Sequence, residues 1–225
     1  MFCTRNKRGD TLIEVILAVG IFSMVAVAVL AVMNGGASSA QLSLEATLAR
    51  EEVDTQAEAL RFVHSSYIAE KISSTNGKYT TLWNAIVGKA SSDSGAYAEF
   101  SPAECASLYG DTGESKNGFI INTRGLGAID TMTDTSGIVE PKEKLIQTTT
   151  YPRLVYDDYN DTLVNNGEST NLVNAEGIYI VAVKGENEGG SLKYYDFYIR
   201  TCWYGSGESA ASTIYTLVRL SDPSQ

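Results

Sequence analysis

A chain of 225 residues with 44% hydrophobic side chains can build one ordinary domain and still have an apolar segment to spare. Its formal charge of −10, from 27 acidic against 17 basic side chains, argues against nucleic-acid binding by the bulk of the chain, because phosphate recognition needs clustered Lys and Arg. The one such cluster is Arg5, Lys7 and Arg8, at the start.

From Leu12 to Met33 the sequence reads LIEVILAVGIFSMVAVAVLAVM, 22 residues with Glu14 as the only charge and no proline. A helix of that length, rising about 1.5 Å per residue, spans about 33 Å and crosses a bilayer core of about 30 Å. Basic residues precede the run and no acidic residue occurs before Asp10. The positive-inside rule therefore keeps the N-terminus cytoplasmic and sends everything after Gly35-Gly36 outside. A secretory signal peptide fits less well. Ala37 or Ala40 could end one, but this run exceeds the roughly 7–15 apolar residues of such a signal and contains a glutamate. A plain single-pass anchor explains the length and the flanks and leaves Glu14 without a reason. An ionisable group in a membrane segment costs at least about 2.5–3.5 kcal/mol near the bilayer centre. Glu14 lies nearer the cytoplasmic end, where the cost is lower, and it still calls for a partner.

The residues KRGDTLIEVILAVGIF resemble the N-terminal signature of type IV prepilins and pseudopilins, the class III signal. In that family a basic leader ending in glycine is removed on the cytoplasmic side by a prepilin peptidase, and a glutamate stands fifth after the cut. The resemblance places the cut between Gly9 and Asp10 and puts Glu14 at that fifth position, with Thr11, Leu12, Ile13 and Val15 matching the run around it. Asp10 departs from the pattern, which has phenylalanine or methionine there, and so leaves N-methylation of the new terminus open. The implied product is a structural subunit of a type IV pilus-like filament serving adhesion, motility or DNA uptake. Its implied partners are identical or related pilin subunits, the prepilin peptidase, membrane lipid and the pilus assembly machinery. A pseudopilin of a type II secretion or competence machine is one alternative, and a membrane-anchored extracellular binding module or adhesin is another. The cleaved chain begins with an ammonium close to an apolar bundle. A neighbouring subunit's Glu14 can neutralise it, since charges in a low-dielectric site tolerate burial only when paired. Arg8, Gly9 and Asp10 also spell an adhesion tripeptide, but they straddle the predicted cytoplasmic cut.

Residues 10–36 are thus read as the transmembrane and assembly helix behind a leader of residues 1–9. From residue 37 to 72 an amphipathic stem helix is predicted. Leu42, Ala46, Ala49, Val53, Ala57, Leu60, Val63 and Tyr67 recur at spacings of three and four. Glu45, Glu51, Glu52, Asp54 and Glu58 supply its polar side. His64, the single histidine, is read as structural.

Residues 73–150, rich in Ser, Thr, Gly and Asn, form a variable connector with apolar patches at 79–87 and 118–122. Residues 151–225 carry β-rich runs at 175–184, 193–204 and 212–220, separated by glycine-rich turns. In the middle run Tyr195, Phe197, Ile199, Thr201 and Trp203 share one face, expected to pack on the stem. Tyr194, Asp196, Tyr198, Arg200 and Cys202 share the other, so a half-buried antiparallel strand is expected. YYDFYIRTCWY and TLVRLSDP resemble the C-terminal sheet of pilins from candidate-phylum bacteria such as the Saccharibacteria. The fold class is therefore α+β: a long N-terminal helix packed on a small C-terminal antiparallel sheet, as in pilins.

Cys3, Cys105 and Cys202 match no zinc or redox spacing. Once exported, Cys105 and Cys202 can join in one disulfide, with two reduced cysteines as the alternative. Pilins often staple their C-terminal region in this way. Asp157, Asp158, Asn160 and Asp161 form an oxygen-rich cluster of the kind calcium favours, but the spacing is not that of an EF-hand and a solvated acidic turn is the better reading. No Ser-His-Asp arrangement, phosphate loop or carboxylate cleft stands out, and one histidine removes most hydrolase and metal options. The sequence is read as a non-enzyme that needs no cofactor and no metal.

Overall fold

The computed structural model describes residues 10–91, 118–124, 138–139, 150–156, 172–186 and 193–222. Its first element is one α-helix, α1, over Asp10–Ile72, 63 residues long. Neither Gly35 nor Gly36 interrupts it. The chain divides into two compact units, Met1–Leu44 and Glu45–Gln225, with α1 contributing to both.

In the first unit the described residues are helical throughout, and none is buried. Its large apolar side chains are exposed on every side. This helix is long and apolar enough to cross a membrane.

The second unit starts from the amphipathic half of α1. Ala49, Val53, Ala57, Leu60, Val63 and Tyr67 are all buried, as their spacing predicts. Glu51, Asp54 and Glu58 face solvent, whereas Glu45, assigned to the polar side by sequence, is buried. After the bend at Ser73–Gly77, α2 spans Lys78–Gly88 and buries Leu82, Trp83 and Ile86. The apolar patch at 118–122 becomes Phe119 and the short strand β1 (Ile120–Ile121), paired with β2 (Ile138–Val139). A second two-stranded ladder joins β3 (Arg153–Tyr156) to β4 (Leu172–Glu176).

The main sheet is an antiparallel meander in the order β5 (Ile178–Glu186), β6 (Lys193–Trp203), β7 (Ser212–Ser221). The first predicted run, 175–184, divides at Gly177, whose φ of +66° separates β4 from β5. A Cβ there would stand 2.5 Å from the Cys202 carbonyl oxygen, and the Cys202 N–H donates to the Gly177 carbonyl at 2.9 Å. Glycine is thus required both by the left-handed conformation and by the close approach of a second backbone.

One cluster of buried side chains joins the stem (Val53, Leu60, Val63, Tyr67), α2 (Leu82, Trp83, Ile86), β1 and the inner face of the sheet (Ile178, Ile180, Ala182, Phe197, Ile199, Val218). Trp83 sits at its centre. Its ring stacks on Tyr67 at 5.5 Å, tilts against His64 at 4.8 Å and meets the edge of Tyr195 at 6.0 Å. Offset and edge-on aromatic pairs of this kind add about 0.5–1.5 kcal/mol each beyond simple burial.

The expected half-buried middle strand is in fact buried on both faces. Asp196, Arg200 and Cys202, on the face away from the stem, are buried. On the same face of β5, Tyr179, Val181 and Val183 alternate with the inner-face residues and form a second buried cluster with Tyr198. The run IYIVAV is apolar at every position, the mark of a strand that demands cover on both sides.

Candidate functional site

The candidate site is the N-terminal segment of α1. Gly9 lies outside the described residues, and Asp10 opens the helix. Glu14 follows one turn later, exposed, the sole charged side chain from Thr11 to Leu44. The large apolar side chains around it, from Leu12 to Met33, are between 51% and 77% exposed. The Ser23 hydroxyl donates to the Val19 carbonyl one turn back at 2.8 Å, which hides a polar group in an apolar stretch without any external partner. Glu14 has no comparable local device among the described residues, and nothing in its own unit covers it. The arrangement is a lone carboxylate on an otherwise apolar, exposed helix surface.

The described residues of the second unit include several polar side chains that fasten the stem to the sheet. Gln56 is fully buried, and its side-chain amide trades two hydrogen bonds with one residue of β1. Nε2 donates to the Ile121 carbonyl and Oε1 accepts from the Ile121 N–H, each at 3.0 Å. Two residues earlier, Phe119 makes the same pair of bonds with Ile180 of β5. The glutamine thus acts as a further peptide unit at the end of that ladder, and ties the stem to the sheet. His64 Nε2 lies 2.8 Å from the Ser221 carbonyl and fastens the stem to the end of β7. This is the structural role that the sequence suggested for the lone histidine.

At the end of the stem, Glu70 reaches across the bend to the start of α2. Its Oε1 accepts from Tyr79 N–H at 3.2 Å, and its Oε2 accepts from the Thr80 N–H at 2.7 Å and the Thr80 hydroxyl at 2.8 Å. The N-cap residue of α2, Gly77, has no side chain to offer, so a carboxylate from the preceding helix supplies the cap. Burial works to raise the Glu70 carboxyl, but the hydrogen bonds from Thr80 and Tyr79 outweigh it and hold the group below its ordinary value. Burial, followed by the adjacent charge of Glu51, pushes Glu52 the other way.

No family model, curated protein or solved structure matches the chain. The geometry of its own residues must carry the functional reading. Cys202 is disulfide-bonded, while Cys105, its expected partner, lies outside the described residues. Asp157, Asp158, Asn160 and Asp161 also lie outside them. Among the described residues no group of three or more His, Cys, Asp or Glu is placed to hold a metal ion. On the outer face of the sheet, Arg219 forms a two-pronged pair with Asp196, at 2.7 and 2.8 Å, and lies over the Tyr194 ring at 4.3 Å. That pair raises the Arg219 guanidinium further above its ordinary value, its hydrogen bond to Asp196 being the main cause. Sequence reasoning missed Gln56, Glu70 and the Arg219–Asp196 pair. Of these only Gln56 left a trace, since it falls on the apolar spacing between Val53 and Leu60.

Proposed function

We propose that this chain is a structural subunit of a type IV pilus-like filament and not an enzyme. It enters the cytoplasmic membrane as a prepilin with its N-terminus inside and its C-terminal unit outside. The prepilin peptidase cuts after Gly9, and the assembly machinery then packs the exposed N-terminal helix against those of identical or related subunits. The observation that carries this reading is the first half of α1. Its apolar side chains have no cover among the described residues, and one carboxylate, Glu14, sits at the fifth place after a glycine that ends a basic leader. Lipid satisfies such a surface before assembly, and neighbouring helices satisfy it afterwards. The carboxylate has no role in the first state and a clear one in the second, where it meets the ammonium created by the cut.

Removing one partner from a buried ion pair costs about 3–5 kcal/mol, because the other charge is left stranded. Glu14→Ala therefore leaves membrane insertion intact and depletes the chain from filaments. The test compares sheared surface filaments with the membrane fraction by immunoblot. Wild-type amounts of the variant in the sheared fraction would overturn the assignment of Glu14 and weaken the filament reading with it. A pseudopilin of a secretion or competence machine would show the same processing and a short periplasmic assembly instead of a surface filament. A membrane-anchored binding module would show neither.

A further inference from the structure

The two edges of the main sheet are finished differently. Along β5 the chain supplies its own partners, since Ser91 and Phe119 each form a bridge to that strand. The Ser91 N–H donates to the Ala182 carbonyl and the Phe119 N–H to the Ile180 carbonyl, each at 2.9 Å. At the opposite edge stands β7, whose ladder partner among the described residues is β6 alone. It is ten residues long and pairs with β6 without a bulge. The usual guards of an exposed edge are missing from it, for STIYTLVRLS contains no proline and no lysine. Its one charge, Arg219, is drawn back onto β6 by the two-pronged bond to Asp196. The outer face instead shows Tyr215, 62% exposed, and Leu217, 46% exposed. On the inner face Ile214 and Leu220 pack against the core but are only partly buried, while Val218 between them is buried.

We propose that β7 is a self-pairing edge. Two copies of this chain join β7 to β7 in antiparallel fashion about a two-fold axis at Leu217, doubling the three-stranded sheet. The side chains set this register. A two-fold that makes a strand the antiparallel neighbour of its own copy runs normal to the sheet, so it passes through a residue and keeps inner face beside inner face. Axes at Thr216 and Leu217 give the longest overlaps. The first leaves Leu220 against Ser212 and Arg219 against Thr213. The second sets Ile214 against Leu220, Leu217 against its own copy, Thr213 against Ser221 and Tyr215 against Arg219. It completes the cover of both half-buried inner-face residues. It also brings a second tyrosine beside a guanidinium that already lies over Tyr194 at 4.3 Å. No like charges oppose each other, because the two Arg219 residues stand about 14 Å apart along the strands at about 3.4 Å per residue.

At roughly 30–40 Å² per interface residue, a strand pair of this length buries about 600–700 Å² in all, below what a stable dimer of isolated chains needs. The contact is therefore weak singly and acts where many copies are held side by side. An isologous contact closes on itself, so it is not the repeating contact of a helical filament. It ties one array of copies to another, whether a filament or a membrane carries them, and does not depend on the filament reading.

The test is disulfide trapping with the full-length chain, concentrated in detergent, in a Cys3→Ser background so that the leader contributes no thiol. Leu217→Cys faces its own copy at a Cβ separation of about 4.5–5.5 Å, near enough for a disulfide, and should give a covalent dimer on mild oxidation. Thr213→Cys lies opposite Ser221 of the other copy and about 27 Å along the strands from its own counterpart. Neither Thr213→Cys nor Ser221→Cys should therefore dimerise alone, whereas a mixture of the two, distinguished by mass, should give the mixed dimer. Adding Leu217→Lys to both members of that mixture sets two ammonium groups opposite each other and should abolish the mixed dimer. Leu217 is exposed, so the lysine variant should keep the wild-type unfolding midpoint. The proposal is overturned if Leu217→Cys stays monomeric, if Thr213→Cys or Ser221→Cys alone dimerises as readily as the mixture, or if Leu217→Lys leaves the mixed dimer undiminished.

Discussion

Replacing Gln56 with leucine isolates the fastening between stem and sheet. The two side chains have similar volume, so the cavity term is small and the cost falls on hydrogen bonding. The Ile121 N–H and C=O are both buried and both satisfied by the Gln56 amide. A buried backbone group left without its partner costs about 1–3 kcal/mol, so two cost about 2–6 kcal/mol. Burying leucine in place of an amide returns part of this, since each added CH₂ contributes about 0.8 kcal/mol. A net loss of about 3 kcal/mol is expected. With a urea slope of about 2 kcal/mol per molar, the midpoint moves down by about 1–2 M. Trp83 and Trp203 are both buried, so their fluorescence follows the transition in the full-length chain in detergent. Amide exchange at Ile121 should also quicken more than at Ile199, which the substitution does not touch. A midpoint within about 0.3 M of wild type would show that the amide pairing contributes nothing net, and the account of how the stem holds the sheet would fail.

Three further outcomes follow from the same geometry. The hydrogen bonds on Glu70 hold its folded carboxyl below the ordinary 4.5, so its contribution is complete above that pH and is lost as pH falls through the lower folded value. Glu70→Gln should lower stability by about 1 kcal/mol at neutral pH, the usual worth of a helix cap, and should flatten the acid limb of a Tm-against-pH curve. Gly177→Ala forces a Cβ against the Cys202 carbonyl at a φ of +66° and should cost at least about 2 kcal/mol by denaturant titration, whereas Gly35→Ala, which meets nothing, should not destabilise the second unit. Alkylation of the denatured chain with and without reductant should show Cys105 and Cys202 labelled only after reduction. Replacing both with serine should lower stability by up to about 4–5 kcal/mol, the chain-entropy value for so long a loop.

Much of this architecture was legible because two periods dominate the sequence. An unbroken apolar run gave α1 its first half, and spacings of three and four gave the buried stripe from Ala49 to Tyr67. Alternation at Tyr195, Phe197 and Ile199 marked the inner face of β6, and its ends were placed within a residue. What alternation could not reveal was the second face. Asp196, Arg200 and Cys202 look like solvent-facing residues until β5, apolar at every position from Ile178 to Val183, is set beside them. Glu45 was misread for a similar reason, because charge at one helix position says nothing about what the tertiary fold brings over it. Glu70 and Gln56 act across sequence gaps of 10 and 65 residues, a distance at which local pattern carries no information. The segment on which the proposed processing rests is of the opposite kind. Leader charge, Gly9, Glu14 and the apolar run are all local, and the chemistry expected of them needs no fold.

That segment also decides the functional account. Intact-mass analysis of the membrane-bound chain, expressed with and without a prepilin peptidase, measures it directly. The account predicts a chain beginning at Asp10 only when the peptidase is present, and the full-length chain otherwise. A chain that keeps the Gly9–Asp10 bond in the presence of the peptidase, or one cut after Ala37 or Ala40, would contradict it.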